Sequence, residues 1–194
     1  LIQQYQGRKE PFGAIFPLGL AYIATALSNQ GHEVQIFDAN LYDDPYEKLG
    51  FRIQGFSPDI VGLSIRNIHN QDKRFPFCFF KTIETTIQHI KKVSPSVKLI
   101  VGGSGFSIYA MDIMERIPAI DFGIHLEGEE SFPELVLNSD RPQEVRGIYY
   151  RKGDEVHFSG PRRLPDFETL PIPRRDMFEM DKYIGTLATF PDAP

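Results

Sequence analysis

The sequence has little cysteine, no long apolar run and no excess of positive charge, and each of these absences excludes a class of protein. Cys78 is the single cysteine among 194 residues, so the chain has neither an internal disulfide framework nor a multi-cysteine metal site. No apolar run approaches the roughly 18 residues of a membrane span, and no basic segment followed by an apolar stretch opens the chain. The formal net charge of −5 argues against a nucleic-acid surface. We therefore expect a cytoplasmic protein with no membrane span and no nucleic acid as a partner.

Two phosphate-binding motifs are absent as well. The sequence contains no GxxxxGKS/T loop, and the glycine-rich segment 102–106 lacks the full GxGxxG spacing of dinucleotide-binding folds. Nucleotide-driven chemistry is therefore unsupported. The apolar neighbours of Cys78 in the segment 75–80 predict a buried, unreactive thiol rather than a nucleophile.

What the sequence does contain is an alternation of helical and strand patterns. The apolar residues of 17–27 have the spacing of a helix with one wide buried face, and Gly31 suits its C-terminal end. Further helices are predicted near 46–53, 79–93, 108–117 and 130–137, and strands at 32–37, 60–65, 97–101 and 122–125. Leu1 and Ile2 have the pattern of a strand's end. This order predicts an α/β fold of the flavodoxin-like or Rossmann-like type, with a doubly wound parallel sheet of about five strands.

The last third of the chain has a different pattern. Residues 147–151 and 155–158 flank a Lys-Gly-Asp turn, which predicts a β-hairpin. The proline-rich stretch that follows predicts an extended connector, and 177–194 has no convincing periodicity. We therefore expect a Rossmann-like domain over residues 1–140, a hairpin extension over 141–160 and a linker over 161–194.

The residues just beyond each strand form the candidate site, because ligands of open α/β sheets bind outside the carboxyl ends of the strands. This rim comprises the segments 13–19, 38–40, 64–70, 102–106 and 127–129. Gly102 and Gly103 leave a shelf without side chains, on which a flat or phosphate-bearing group could lie. The alternative is that the two glycines only make a tight turn into the next helix.

Polar residues of the rim also have two interpretations each. The Ser64 hydroxyl suits a ring nitrogen or a phosphate, or it caps the next turn. The carboxylates of Glu127 and Glu129 suit ribose hydroxyls or amides, or they place negative charge at a helix N-terminus.

Three basic side chains are candidates too. Arg66 suits a phosphate or an amide, or it forms an ion pair with Asp72 or Glu129. His69 could ligate a metal or bind a cofactor, although a lone histidine in a polar loop more often faces solvent. His125 lies in an apolar strand, where a hydrogen-bonded core histidine is the expected role.

Taken together, these segments resemble the N-terminal cobalamin-binding domain of B12-dependent radical SAM proteins. This group includes proteins labelled magnesium-protoporphyrin monomethyl ester cyclase-like or Fe-S oxidoreductases. The resemblance covers most of residues 11–180, and the order and spacing of its motifs carry it. These motifs are Pro17–Leu27, Pro58–Ser64, Val101–Gly103, Glu127–Glu130, the 147–158 hairpin and the Leu170–Asp176 connector.

The resemblance implies that the corrin lies across the rim, with its nucleotide tail inserted along the sheet beside Ser64 and the glycine pair. A flat, largely apolar dimethylbenzimidazole ring needs close backbone approach and a hydroxyl partner. The cofactor-binding residues that it implies are Pro17, Leu18, Gly19, Ser64, Arg66, Asn67, His69, Gly102, Gly103, Ser104, Gly105, Phe106, Glu127, Gly128 and Glu129.

Two departures from related patterns qualify the expected chemistry. The Asp-x-His-x-x-Gly loop, whose histidine ligates cobalt in domains of the methionine synthase type, is replaced by Gly13–Gly19. The resemblance therefore implies base-off cobalamin with no strong protein ligand from that loop, and His69 is the one rim histidine able to contradict this. The CxxxCxxC motif cannot exist in a chain with one cysteine, so the [4Fe-4S] cluster and S-adenosylmethionine are expected only in a C-terminal radical SAM domain outside this chain.

The expected function is to hold cobalamin and present it to that radical SAM domain, for methyl transfer or another radical transformation. By itself the chain is not expected to catalyse a reaction. The alternative is a flavodoxin-like ligand-sensing or scaffold domain that binds no corrinoid.

Overall fold

The computed structural model describes residues 1–6, 15–70, 73–166 and 168–187. Its strands are β1 (Ile2–Gln3), β2 (Phe37–Asp38), β3 (Ile60–Ser64), β4 (Lys98–Gly102), β5 (Phe122–Ile124), β6 (Ile148–Lys152) and β7 (Glu155–Phe158). Its α-helices are α1 (Leu18–Asn29), α2 (Pro45–Phe56), α3 (Phe80–Val93), α4 (Ser104–Ile108), α5 (Ala110–Arg116), α6 (Ser131–Leu137) and α7 (Met180–Leu187). Short 3₁₀ helices lie at Ala39–Leu41, Pro142–Glu144 and Arg175–Met177.

All seven strands belong to one sheet, in the order β2-β1-β3-β4-β5-β6-β7. The first five strands are parallel, which confirms the predicted α/β class. The predicted hairpin, β6 and β7, continues the same sheet because β6 pairs antiparallel with β5. Since parallel strands have their carboxyl ends at one edge, the loops after β1 to β5 meet there and form the rim.

Helices cover both faces of the sheet, and each face has its own core. On one face Leu63 and Val101 pack with buried residues of α2, α3, α4 and α5. On the other face Ile100 and Ile124 pack with Leu27 of α1 and with buried residues of α6. Helices on both sides make the sheet doubly wound, as the sequence predicts.

Helix α3 shows how the sequence specifies this packing. Ile83, Ile87 and Ile90 are fully buried and lie on one stripe of the helix, as the period of 3.6 residues requires. At the end of the helix the Lys91 Nζ contacts a carboxylate oxygen of Asp121 at 2.9 Å. This ion pair ties α3 to the loop before β5. Among the described residues, no helix is both long and apolar enough to cross a membrane.

Three secondary-structure predictions differ from the structure. The strand expected at 32–37 is reduced to β2, because β2 lies at the sheet edge and pairs with only two residues of β1. The helix expected at 108–117 is divided into α4 and α5 at Tyr109, whose ψ of 28° leaves the helical range. Residues 180–187 form α7 although their sequence lacks a clear period, because the contact of Tyr183 with Asp38 holds this helix against the rest of the chain.

The prediction of a buried Cys78 is wrong, because the thiol is exposed. Cys78 lies in a short extended segment that forms one β-bridge with His69. Adjacent side chains of such a segment point to opposite sides, so Phe79 enters the core while Cys78 remains at the surface.

Candidate cofactor-binding site

A cavity of about 1170 Å³ opens at the rim and extends along the face of the sheet that α1 and α6 cover. Its volume exceeds the roughly 300–1,000 Å³ of an ordinary small-molecule pocket, so it suits a large cofactor. Its floor consists of alternate residues of four neighbouring strands, brought into line by the parallel register: Leu1, Gln3, Gly62, Ser64, Ile100, Gly102 and Ile124.

The two glycines of the predicted shelf, Gly102 and Gly103, have different structural roles. A Cβ at Gly102 would have the Ile124 Cβ as its nearest neighbour, at 3.4 Å, so the missing side chain leaves space in the cavity. Gly103 has a φ of +98°, and a Cβ there would lie 2.6 Å from the Ile65 carbonyl oxygen. Gly103 is therefore required by the turn, whereas Gly102 opens the floor.

Gly62 lets two apolar side chains pack against the same floor. A Cβ at this position would lie 2.7 Å from side-chain atoms of both Leu1 and Phe132. These two apolar side chains therefore approach the backbone of β3 directly, and Phe132, from α6, forms part of the cavity's inner end. Leu20 and Ile23 of α1 complete the apolar cover over the floor.

Polar groups enter the cavity at a few positions. Gln3 is buried and lines the floor. Asn40 lines the wall and fixes the adjoining loop, because its Nδ2 donates to the Gln4 carbonyl at 3.0 Å and its Oδ1 accepts from the Gln6 N–H at 3.0 Å. A mostly apolar cavity with a few placed polar groups is typical of a cofactor site.

Glu129 is the polar residue of the cavity whose hydrogen bonding is incomplete. Its Oε2 is buried and has no hydrogen-bond partner, and the residue lines the cavity. Burial raises the pKa of this carboxyl above its ordinary value, and the nearby charges of Glu127 and Glu130 add to the shift, against the opposing effect of nearby backbone N–H groups. A ligand that donates a hydrogen bond to Glu129 would satisfy the unpaired oxygen.

The C-terminal segment returns to the rim and borders the cavity. The Arg174 N–H donates to the Thr25 hydroxyl of α1 at 2.9 Å, which holds the connector against this helix. Farther along, the buried Tyr183 hydroxyl donates to an Asp38 carboxylate oxygen at 2.9 Å, and Lys182 lines the cavity. Burial and the adjacent Asp38 charge raise the pKa of Tyr183, so the phenol stays protonated and serves as donor.

The structure places most of the predicted site residues on the cavity wall. These residues are Pro17, Leu18, Gly19, Ser64, Arg66, Gly102, Gly103, Ser104, Glu127, Gly128 and Glu129. Arg66 is exposed, and Asp72, one of its two expected ion-pair partners, lies outside the described residues, as do Gly13 and Ala14 of the first rim segment.

Four predicted residues do not line the cavity. Phe106 is fully buried in the core on the opposite face of the sheet. Gly105 is buried in α4, where a Cβ would lie 3.0 Å from the backbone of Arg66. Asn67 and His69 are exposed on the loop after β3, outside the cavity lining. Proximity in sequence to the rim therefore does not place a side chain in the site.

Part of the lining was not predicted from the sequence, namely Leu1, Gln3, Gly62, Ile100 and Ile124 of the floor, Leu20 and Ile23 of the cover, and Phe132 at the inner end. Gly62 carries a signal that could have predicted the floor, because a glycine inside a buried strand often marks a close approach of another group. Because side chains alternate along a strand, Gly62 and Ser64 lie on the same face of the sheet. Their register partners Ile100 and Gly102 in β4 lie on that face too. Gln3 and Phe132 gave no local signal, since only tertiary packing brings them to this face.

None of the five histidines in the sequence lines the cavity, and all five lie in the described part of the chain. His125 lies just past β5, half-buried, with its ring against Tyr149 and Phe158. Over the described residues, no group of three or more His, Cys, Asp or Glu side chains is arranged to hold a metal ion.

The fold and the cavity define an open α/β domain that receives a large ligand at the carboxyl edge of its sheet. Comparison with known proteins identifies the family, because the model of the B12 binding domain matches residues 10–136, more than half of the chain. The chain belongs to the B12-binding domain family, which confirms the resemblance noted from the sequence.

Curated relatives agree with this assignment. An uncharacterized methyltransferase of Pyrococcus horikoshii is 30% identical over 171 residues, which are 86% of this chain and 35% of the relative. The anaerobic magnesium-protoporphyrin IX monomethyl ester cyclase of Rubrivivax gelatinosus is 27% identical over 189 residues, 93% of this chain and 32% of that enzyme. The chain thus spans about a third of the length of these relatives.

Solved structures show the same fold. The radical S-adenosylmethionine methyltransferase TsrM of Kitasatospora setae, with cobalamin and a [4Fe-4S] cluster bound, superposes with a TM-score of 0.73 at 22% identity, over 91% of this chain and 31% of TsrM. The cobalamin-dependent S-adenosylmethionine radical enzyme OxsB, with aqua-cobalamin bound, gives a TM-score of 0.71 at 21% identity, over 97% of this chain and 25% of OxsB.

Proposed function

We propose that this chain binds cobalamin in its base-off form, with the nucleotide tail inside the cavity and the corrin across its mouth. One observation carries the proposal. In a member of the B12-binding family, the cavity extends from the rim along the sheet over Gly102, where the missing side chain leaves the floor open, towards Phe132 at its inner end. A flat, elongated group needs this shape and this close backbone approach.

The residues present fit the cofactor chemically. Ser64 and Gln3 offer a hydroxyl and an amide on the floor, and Leu20, Ile23 and Phe132 offer apolar contact from above. Glu129 contributes an unpaired carboxylate oxygen that suits an amide or hydroxyl donor. Cobalamin has amide side chains and a ribose hydroxyl able to donate such bonds. When bound, it supplies a cobalt centre that can carry a methyl group.

The base-off form is supported by the composition of the cavity wall. A tail held along the sheet leaves the lower face of the corrin without its own base. No histidine lines the cavity, so this chain offers no imidazole there to take the place of that base. We accordingly assign no cobalt ligand to His69, which lies outside the cavity lining.

We further propose that the chain presents the cofactor to a radical SAM domain that follows residues 161–194. This proposal is supported by TsrM, a structural relative about three times as long, which has both cobalamin and a [4Fe-4S] cluster bound. In this chain the connector is anchored at the rim through Tyr183 and Asp38, beside the mouth of the cavity. A domain continuing from α7 would begin close to the exposed side of the corrin.

The experiment is a titration of the chain with hydroxocobalamin and methylcobalamin, followed by gel filtration and visible spectroscopy. We expect about one corrinoid retained per chain, with a base-off spectrum that His69→Ala leaves unchanged. Loss of all corrinoid on the column would contradict cobalamin binding by this chain. A spectrum of histidine coordination that disappears in His69→Ala would contradict only the statement that His69 is not a cobalt ligand.

A further inference from the structure

Leu126, at the mouth of the cavity, has a backbone conformation that its side chain does not favour. It follows β5 and has a φ of +63°, in the left-handed region. Ser57, with a φ of 50°, is the other non-glycine residue with positive φ in the described part of the chain. Branched apolar residues avoid this region, which glycine, asparagine and aspartate adopt more readily.

Hydrogen bonds hold the residue in this conformation. The Leu126 N–H donates to the Ser107 Oγ at 2.8 Å, and that hydroxyl donates to the Gly103 carbonyl at 3.1 Å. The loop after β5 is thereby fixed to the turn after β4, and the Leu126 side chain has a defined position.

Packing within the chain does not explain the leucine either. The residue is 53% exposed and belongs to neither of the two buried cores. It nevertheless lines the cavity, together with Ile108, which is 72% exposed, and Gly128. The chain thus holds a large apolar side chain in an unfavourable backbone conformation, facing an apolar rim that none of the described residues covers.

We propose that Leu126 is a cofactor-contact residue, whose side chain packs against the apolar surface of cobalamin at the mouth of the cavity. This inference rests on the proposed function. The strained loop is preorganised, so the leucine loses little freedom when the ligand binds, and the contact buries the half of the side chain that is exposed in the free chain.

The test compares hydroxocobalamin affinity and thermal stability in three variants. Leu126→Gly should melt at the same temperature as the wild-type chain or higher, because glycine adopts positive φ without strain. Its dissociation constant for hydroxocobalamin should rise about fivefold, the effect of losing roughly half a leucine side chain of apolar contact. Leu126→Asn, which tolerates the left-handed region, should weaken binding similarly.

Ser57→Gly is the matched control, since it relieves the other positive φ at the end of α2, and Ser57 does not line the cavity. We expect its affinity to equal that of the wild-type chain. If the wild-type chain binds hydroxocobalamin and both Leu126 variants bind it with the same affinity, this inference is wrong and the proposed function stands. A clear fall in the melting temperature of Leu126→Gly would also overturn it, because the leucine would then stabilise the free chain. No binding by the wild-type chain would refute the proposed function, and this inference with it.

Discussion

Substituting Gly102 by valine tests whether the floor of the cavity receives the ligand. A Cβ at this position would meet the Ile124 Cβ at 3.4 Å and the Ile124 carbonyl oxygen at 3.6 Å, which are tolerable contacts. The rest of the valine side chain would then stand in the cavity. Valine also suits a strand better than glycine does, so the free chain should fold and retain its melting temperature.

The expected effect on binding follows from overpacking. Inserting methyl groups into a filled site costs about 1–3 kcal/mol, which corresponds to roughly a 5- to 150-fold loss of affinity at 25 °C. The assay is calorimetric titration with hydroxocobalamin, together with a thermal melt of each variant. Gly103 is unsuitable for this purpose, because its positive φ and the 2.6 Å approach to the Ile65 oxygen would damage the turn itself.

Gly55→Val is the control, because Gly55 lies on α2, where a Cβ would have open space around it. We expect this variant to bind like the wild-type chain. If Gly102→Val remains folded and binds hydroxocobalamin as tightly as the wild-type chain, the ligand does not lie on this floor and the reasoning fails.

Three further predictions concern charge, docking of the connector and reactivity. Burial raises the folded-state pKa of the Glu129 carboxyl above its unfolded value, so the folded chain loses stability as the pH rises from the unfolded pKa to the folded pKa. Glu129→Gln should therefore raise the melting temperature at pH 7 but not at about pH 4. An equal change in melting temperature at both pH values would contradict this. Tyr183→Phe removes the buried hydrogen bond to Asp38 and should lower the free energy of unfolding in urea by about 1–3 kcal/mol, whereas an unchanged value would show that the contact contributes nothing. Cys78 is exposed, so Ellman's reagent should modify it in the native chain as fast as in urea, and protection until unfolding would contradict its position.

The fold was largely predictable because its signals are local and repeated. The buried apolar run Leu99–Val101 in β4 and the isoleucine stripe of α3 are clear signals for a strand and a helix, and the alternation of such elements predicts a parallel sheet. Helix α7 was missed because its stability depends on the contacts of Tyr183 with residues about 145 positions earlier in the sequence. Edge strand β2 was predicted too long, since the length of its ladder depends on β1 and not on its own residues.

The candidate site was predictable only where it coincides with strand ends. Ser64, Gly102 and Glu127 follow from the rule that ligands lie beyond the carboxyl edge. The cavity also extends back along the sheet, and there the lining depends on which face each residue occupies. A single apolar run does not reveal its face, so Gly62 and Ile100 became site residues only once the register was known.

The most direct test of the account compares cobalamin with cobinamide, which has the same corrin but lacks the nucleotide tail. If the tail occupies the cavity over Gly102, the chain should bind hydroxocobalamin at least tenfold more tightly than aquocobinamide, because aquocobinamide lacks the buried contacts of the tail. Equal dissociation constants for the two corrinoids would contradict the placement of the tail and leave the cavity without its proposed ligand.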